Sequence, residues 1–255
     1  MLFVFVFILG LLWGSFMNVL VIRGISLRAL WGHSQCRHCH KQLRWYDLIP
    51  VFSYLYLGGE CRYCKKKVSA KYAMGEIFTG IIFVLSLQLF LSSTLSVPGL
   101  FLLIVYISLF LYLSLYDLWN LEIPLMGVIL LLFVGLIFNL YHLIWESSLL
   151  TKGWFLALIV PIVLIALISR MYKKQVFGAG DYMIMLAVAL TLRAIELFIA
   201  FEAAIFIAAL ISLLLVIIMR VDMKEYKVPL VPFLFLGWCI GYIWGMNIWN
   251  WLVLN

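Results

Sequence analysis

From Met1 to Ile22 the chain runs without a charged side chain, and apolar stretches of similar length recur to its end. At 1.5 Å of rise per residue, about 20 apolar residues cross the hydrocarbon of a bilayer. Stretches that approach this length lie near residues 1–22, 75–92, 99–117, 123–145, 153–170, 182–200, 203–219 and 230–252. Charge elsewhere is too scarce to offset them: 67% of the 255 residues are hydrophobic and 11% are charged. A soluble domain carries about 25% charged residues, so this chain could not cover its surface in water. The fold class expected is an all-α polytopic membrane protein of about eight transmembrane helices with a small cytosolic loop.

The placement of charge sets the orientation. Ten of the 18 Lys and Arg residues fall between Arg23 and Lys71; Arg170, Lys173 and Lys174 form a second cluster, and Arg220, Lys224 and Lys227 a third. With the N-terminus outside, eight crossings place all three clusters in the cytosol and leave Lys152 and Arg193 outside, as the bias of cytoplasmic loops toward Lys and Arg requires. The net charge of +7 then reflects topology and contact with the anionic lipid bilayer, and no nucleic acid is expected as a partner. Arg23 follows the first apolar run rather than preceding it, so that run reads as a retained helix and not a cleaved signal. The stretch from Tyr182 is the least continuous, since Arg193, Glu196 and Glu202 interrupt it. No repeat of fixed period is evident. Three regions are expected: a first helix at 1–22, a cytosolic loop at 23–74 and a transmembrane core at 75–255.

The loop carries Cys36-Arg37-His38-Cys39 and, 21 residues on, Cys61-Arg62-Tyr63-Cys64. Two CxxC pairs so spaced are the pattern of a four-thiolate zinc knuckle, each tight turn presenting two sulfurs. In the reducing cytosol disulfides are the weaker reading. A closed sulfur shell leaves no open coordination position, so the role expected for the metal is structural. His38 and His40 read as solvated neighbours, and Cys239 as a small buried hydrophobe. Between the pairs, Leu48–Leu57 is too short to span a bilayer; it is expected to pack beneath the knuckle, with a place at the lipid interface as the alternative.

Chemistry is expected where charge is expensive. Asp117 closes the third apolar stretch, and Asp181 follows Gly178-Ala179-Gly180 before the sixth. The threading brings both to the cytoplasmic side. Two adjacent carboxylates share one proton, so that one can activate water while the other polarises a carbonyl. Gly178 and Gly180 suit a backbone that another chain approaches, and an unwound stretch there could pair with an extended substrate. The plainer reading is that both aspartates cap helices or snorkel to the interface. No GxSxG elbow, HExxH helix or phosphate loop competes with them.

These residues, with Gly14-Ser15-Phe16-Met17-Asn18-Val19, Asp47-Leu48-Ile49-Pro50, Lys71-Tyr72 with Glu76, Ile123-Pro124, and Val228-Pro229-Leu230-Val231-Pro232-Phe233-Leu234, resemble the type IV prepilin peptidases. The resemblance runs from residue 10 to about 237 in order and spacing. It implies a GxGD-type membrane aspartyl endopeptidase of the inner (cytoplasmic) membrane. The substrate implied is a type IV prepilin or pseudopilin whose short basic leader is cut at the cytoplasmic face, with Asp117 and Asp181 as the catalytic pair. It also extends to this chain S-adenosylmethionine-dependent N-methylation of the new terminus. Asn18 and Glu76, in matching motifs, either line a pocket for that transfer or pack as polar residues between helices. The family's lysine two positions after the second aspartate is Met183 here, which removes a cation near that carboxylate and bears on methylation or substrate preference. Two alternatives are a presenilin-like intramembrane protease, against which the cysteine loop and the N-terminal motif argue, and a transporter binding protons or cations at the aspartates.

Overall fold

A computed structural model describes residues 1–24, 32–91, 96–145, 170, 178–219 and 228–254. They form α1 (Leu2–Arg23), a short α2 (Phe52–Tyr56), α3 (Lys71–Leu91), α4 (Val97–Asn120), α5 (Leu125–Trp145), α6 (Ala179–Ala189), α7 (Ala194–Met219) and α8 (Val231–Leu254). No strand longer than an isolated bridge occurs among the described residues. Among the described residues, five helices are long and apolar enough to cross a membrane: α1, α4, α5, α7 and α8. The all-helical, multi-pass class expected from the sequence is therefore present. The expected span at 153–170 lies outside the described residues except for its last position, as do most of the second and third basic clusters.

Two compact units divide the chain, Met1–Leu100 and Phe101–Asn255. In the first, α1 lies against α3. Small residues let the two backbones approach: a Cβ on Gly10 would meet Gly80 Cα at 2.7 Å, and one on Gly14 would meet Glu76 Cα at 2.9 Å. Where lipid tails are as apolar as leucine, such close van der Waals packing is a main source of helix association. The outer faces of the pair stay apolar and exposed, with Phe5, Leu12 and Phe16 on α1 and Met74, Ile77 and Ile81 on α3.

The segment between α1 and α3 holds two knuckles of one design. His40 N–H donates to Cys36 O and Cys36 N–H to Lys41 O; twenty-five positions on, Lys65 N–H donates to Cys61 O and Cys61 N–H to Lys66 O. His40 (φ 56°) and Lys65 (φ 57°) both take the left-handed conformation that turns the chain after the second cysteine. Single bridges, Gln35 to Gln42 and Glu60 to Lys67, close the two turns. In sequence the repeat covers only six positions, Cys-Arg-x-Cys-x-Lys at Cys36–Lys41 and again at Cys61–Lys66, too short to register as a repeat of fixed period. Between the knuckles, Leu48, Phe52, Leu55 and Tyr56 are exposed rather than packed beneath the cysteines. The expected packing role of this segment holds only in part: Ile49, Val51, Tyr54 and Leu57 are half-buried, Tyr54 beneath Gly59, while α2 is little more than one turn long and turns its other face outward.

In the second unit α7 and α8 are in close contact. Gly237, Gly241 and Gly245 form a stripe on α8: a Cβ on Gly237 would collide with Ala200 O, one on Gly241 would meet Glu196 O at 2.5 Å, and one on Gly245 would meet Glu196 Cα at 3.0 Å. A buried aromatic series, Tyr106, Phe110, Phe235, Trp238 and Tyr242, ties α4 to α8.

The span expected at 182–200 is not one helix. α6 ends at Ala189, residues 190–193 turn, and α7 begins at Ala194, so Glu196 and Glu202 belong to the next helix. The break is tolerated because side chains from elsewhere satisfy its carbonyls. Tyr106 Oη donates to Ala187 O at 2.9 Å, Asn139 Nδ2 to Leu190 O at 2.9 Å, and Thr191 Oγ1 to Val188 O at 3.0 Å. Trp238 Nε1 in turn donates to Thr191 Oγ1 at 2.8 Å. At membrane depth irregular backbone persists only with such internal partners.

Candidate active site and metal centre

Asp117 lies in the last turn of α4 and is buried. The helix ends just beyond it: Leu121 N–H donates back to Asp117 O at 2.9 Å, and Leu121 turns the chain at φ 54°, a left-handed C-terminal cap. The carboxylate looks across to the start of α8, where Val231 N–H donates to Asp117 Oδ2 at 3.0 Å. Pro229 and Pro232, which lack amide hydrogens, flank Leu230 and Val231, so these two amides are the donors the segment can offer. The Leu230 amide also hydrogen-bonds Asp117. The proline-rich segment thus has a local task that the sequence reading did not assign: it points helix N-terminal amides at a carboxylate, the stabilising polarity for an anion.

Asp181 is the third residue of α6, and its own amide donates to Gly178 O. Gly178 N–H donates to Asp181 Oδ2 at 2.9 Å. This reciprocal cap draws Ala179 and Gly180 into the helix and leaves only Gly178 extended (φ −75°, ψ 160°). The unwound glycine stretch expected for substrate pairing is therefore reduced to that single residue. Gly180 works by close approach instead: a Cβ there would meet Ile123 Cδ1 at 3.1 Å. Ile123 belongs to the connection that follows Asp117, so the start of α6 backs onto the end of α4. Asp181 lies near enough for its charge to act on Asp117. One carboxylate thus faces the N-terminus of α8 while the other caps α6. Met183 is half-buried one turn into α6.

The four cysteines gather in one place. Their Sγ atoms all lie within 4.8 Å of one another, with Cys36 and Cys64 at 3.8 Å. A zinc tetrahedron with Zn–S of about 2.3 Å has S–S edges of about 3.8 Å, so the set fits the metal in number, chemistry and spacing. None of the described cysteines is in a disulfide. Burial pushes the Cys36 thiol up, yet the amides of Cys39 and His38 and the thiols of Cys61 and Cys39 outweigh it and bring Cys36 down to about 6. Cys64 moves the other way, to about 11: the Lys66 amide lowers it, but burial and the three neighbouring thiols prevail. Crowded thiols lose a first proton easily and a last one with difficulty, and a divalent cation relieves that conflict.

Asp47 supports this centre, a role the sequence reading left unassigned. Its side chain is 2% exposed, and Arg62, inside the second CxxC, donates from Nε to Asp47 Oδ1 at 2.6 Å. Arg44 N–H and Tyr63 Oη hold Oδ2 at 3.2 and 3.5 Å. A paired carboxylate inside a basic loop was the available signal.

Asn18 and Glu76 both lie in the first unit, on α1 and α3, the two helices that pack together there. Asn18 Nδ2 donates to Tyr72 O at 3.2 Å, and Asn18 Oδ1 is buried with no partner among the described residues. Glu76 Oε2 accepts from Val51 N–H at 2.8 Å, and the Ser15 hydroxyl also bonds this carboxylate. Of the acceptors that a cationic methyl donor needs, Asn18 Oδ1 is the one left without a partner, while Glu76 is engaged by the loop.

Comparison with known proteins yields two family matches. A model of the bacterial peptidase A24 N-terminal domain matches residues 8–90, and one of the type IV leader peptidase family matches residues 104–213. A prepilin leader peptidase/N-methyltransferase of Klebsiella pneumoniae is 31% identical over 195 residues, covering 72% of this chain and 82% of that protein. One from Pectobacterium carotovorum subsp. carotovorum is 28% identical over 264 residues, covering 94% and 90%. Against one of Myxococcus xanthus the identity is 32% over 197 residues, and the match spans 57% of that protein's length. No solved structure matches the chain.

Proposed function

We propose, for a chain that belongs to the type IV leader peptidase family, that it is a membrane aspartyl endopeptidase removing the basic leader of type IV prepilins or pseudopilins. What supports the reading is the approach of the start of α6 to the end of α4, where Gly180 backs onto Ile123, with Asp181 in the first turn of one helix and Asp117 in the last turn of the other, and with the charge of Asp181 acting on Asp117. One carboxylate, ionised, takes a proton from water as the oxygen attacks the scissile carbonyl carbon. The other, protonated, donates to the carbonyl oxygen. Collapse of the tetrahedral species breaks the C–N bond: the leaving amine takes a proton from the acid formed in the first step, and as the C=O re-forms a hydroxyl returns its proton to the second carboxylate. The amides of Leu230 and Val231 hold Asp117 in orientation, and the Gly178 amide holds Asp181.

The setting proposed is the inner membrane, with the N-terminus outside and the aspartates at the cytoplasmic face, where basic leaders reside. Cys36, Cys39, Cys61 and Cys64 hold a structural zinc that supplies no step of the cleavage. S-adenosylmethionine, when bound, supplies an electrophilic methyl group for the freed amine, and Asn18 and Glu76 are the acceptors that would hold its cationic groups. The test is cleavage of a prepilin-like peptide by purified protein. Asp117→Asn and Asp181→Asn, each folded and zinc-loaded, are expected to lose activity by roughly a hundredfold or more; full activity in either would refute the pair. Mass spectrometry of the processed product separates cleavage alone from cleavage with methylation.

A further inference from the structure

The cysteine module carries an apolar surface that neither its own fold nor the proposed cleavage uses. Phe52, Leu55 and Tyr56 share one face of α2 by their i, i+3, i+4 spacing and are 62%, 70% and 71% exposed. Phe52 and Tyr56 stack with ring centroids 6.1 Å apart. The turn Trp45–Leu48 packs against α2 and adds Trp45, 77% exposed, and Leu48. In water such a patch would be a liability.

Its height along α3 follows from one hydrogen bond. Val51, immediately before α2, is fixed by its N–H to Glu76 Oε2 at 2.8 Å. Glu76 is the sixth residue of α3, about 8 Å along the axis from Lys71. The loop therefore folds back beside the first turns of α3, whose apolar stretch from residue 75 is read from the sequence as a span. Val51 adopts φ 60°, ψ −49° to make this return, a conformation costly for a β-branched residue and kept only where surroundings enforce it. Beyond Glu76 the outer face of α3 continues with Ile77 and Ile81, exposed like the face of α2. Basic residues frame the patch in the chain: Arg44 before the turn, and Lys65, Lys66 and Lys67 after the second knuckle. Trp and Tyr beside an apolar face, with Lys and Arg near, is the composition of an interfacial helix, which sinks about 5–10 Å into the headgroup region. That depth matches the position of Glu76.

We propose that the face of α2 formed by Phe52, Leu55 and Tyr56, with Trp45 and Leu48, is an interfacial anchor that seats the cysteine module in the anionic headgroup region of the bilayer. The anchor holds the module at a fixed height while α1 and α3 hold it laterally.

The test places the photoreactive residue p-benzoylphenylalanine at single positions of the full-length protein in phosphatidylethanolamine–phosphatidylglycerol vesicles, with zinc content checked for each variant. Leu55→p-benzoylphenylalanine and Tyr56→p-benzoylphenylalanine are both made, the second being nearly conservative, so that a folding failure at one position leaves the other informative. After irradiation both are expected to yield phospholipid adducts within about threefold of the same residue at the lipid-facing Ile77, and about tenfold above it at the exposed Lys66. Adducts at Lys66 level would overturn the proposal, as would capture of a second copy of this chain or of an added prepilin-like peptide in place of lipid. The readout does not require peptidase activity, so it stands apart from the catalytic assignment.

Discussion

At the scale of the residue, several polar groups among the described residues find partners far along the chain. Val51 shows this in its backbone. Its positive φ is held by Glu76, so Val51→Gly, which removes the steric cost while keeping the N–H, is expected to raise stability by about 1 kcal/mol, read by thermal unfolding in detergent. Asp47 shows it in its side chain. Arg62→Met would leave its buried carboxylate without its cation, and faster loss of zinc to a chelator than in the parent is expected. The candidate residues themselves were legible in the sequence, because Asp117, Asp181 and the cysteines stand out against an apolar background. Their partners were not. Nothing in the local sequence says that the Val231 amide serves Asp117, since the pairing crosses 114 positions and depends on how α4 and α8 pack. Nor could a lone Gly178 announce that Asp181 would wind the glycines into α6.

The helices were legible to the extent that hydropathy alone decides them. α1, α4, α5 and α8 fall where apolar runs of membrane length predicted them, and α3 begins a few residues early because Lys71 and Tyr72 continue its first turn. The failure at 182–200 has a physical cause. An apolar run reports burial, not continuity, and the donors that allow a break at Leu190 sit on α4, α5 and α8. Tyr106→Phe, which strips the hydroxyl from Ala187 O, is expected to cost about 1–2 kcal/mol of stability with the aromatic packing retained. The α7–α8 seam gives a sharper contrast. Gly241→Leu must push Glu196 O and Ala200 apart, and loss of monodisperse folded protein by size exclusion is expected. Phe206→Ala, on the exposed face of α7, should leave the profile unchanged.

At the scale of the whole molecule, the apolar composition announced a multi-pass helical protein, and the cysteine spacing announced a loop whose four Sγ atoms gather within 4.8 Å of one another. Replacing two cysteines at once, Cys36→Ser with Cys61→Ser, is expected to reduce bound zinc to background; equal zinc in variant and parent would remove the metal assignment. The eleven-residue α6 has a consequence in a bilayer. It spans about 16 Å against a hydrocarbon core of about 30 Å, while its neighbour α7, at 26 residues, reaches about 39 Å. Little of that shortfall faces lipid, since Ile184, Ala187, Val188 and Ala189 are buried and Leu186 is the exposed large hydrophobic residue of α6. A thicker bilayer would set the ends of so short a helix deeper below bulk water, and Asp181 in its first turn with them. Turnover in vesicles of graded chain length should then fall as the membrane thickens.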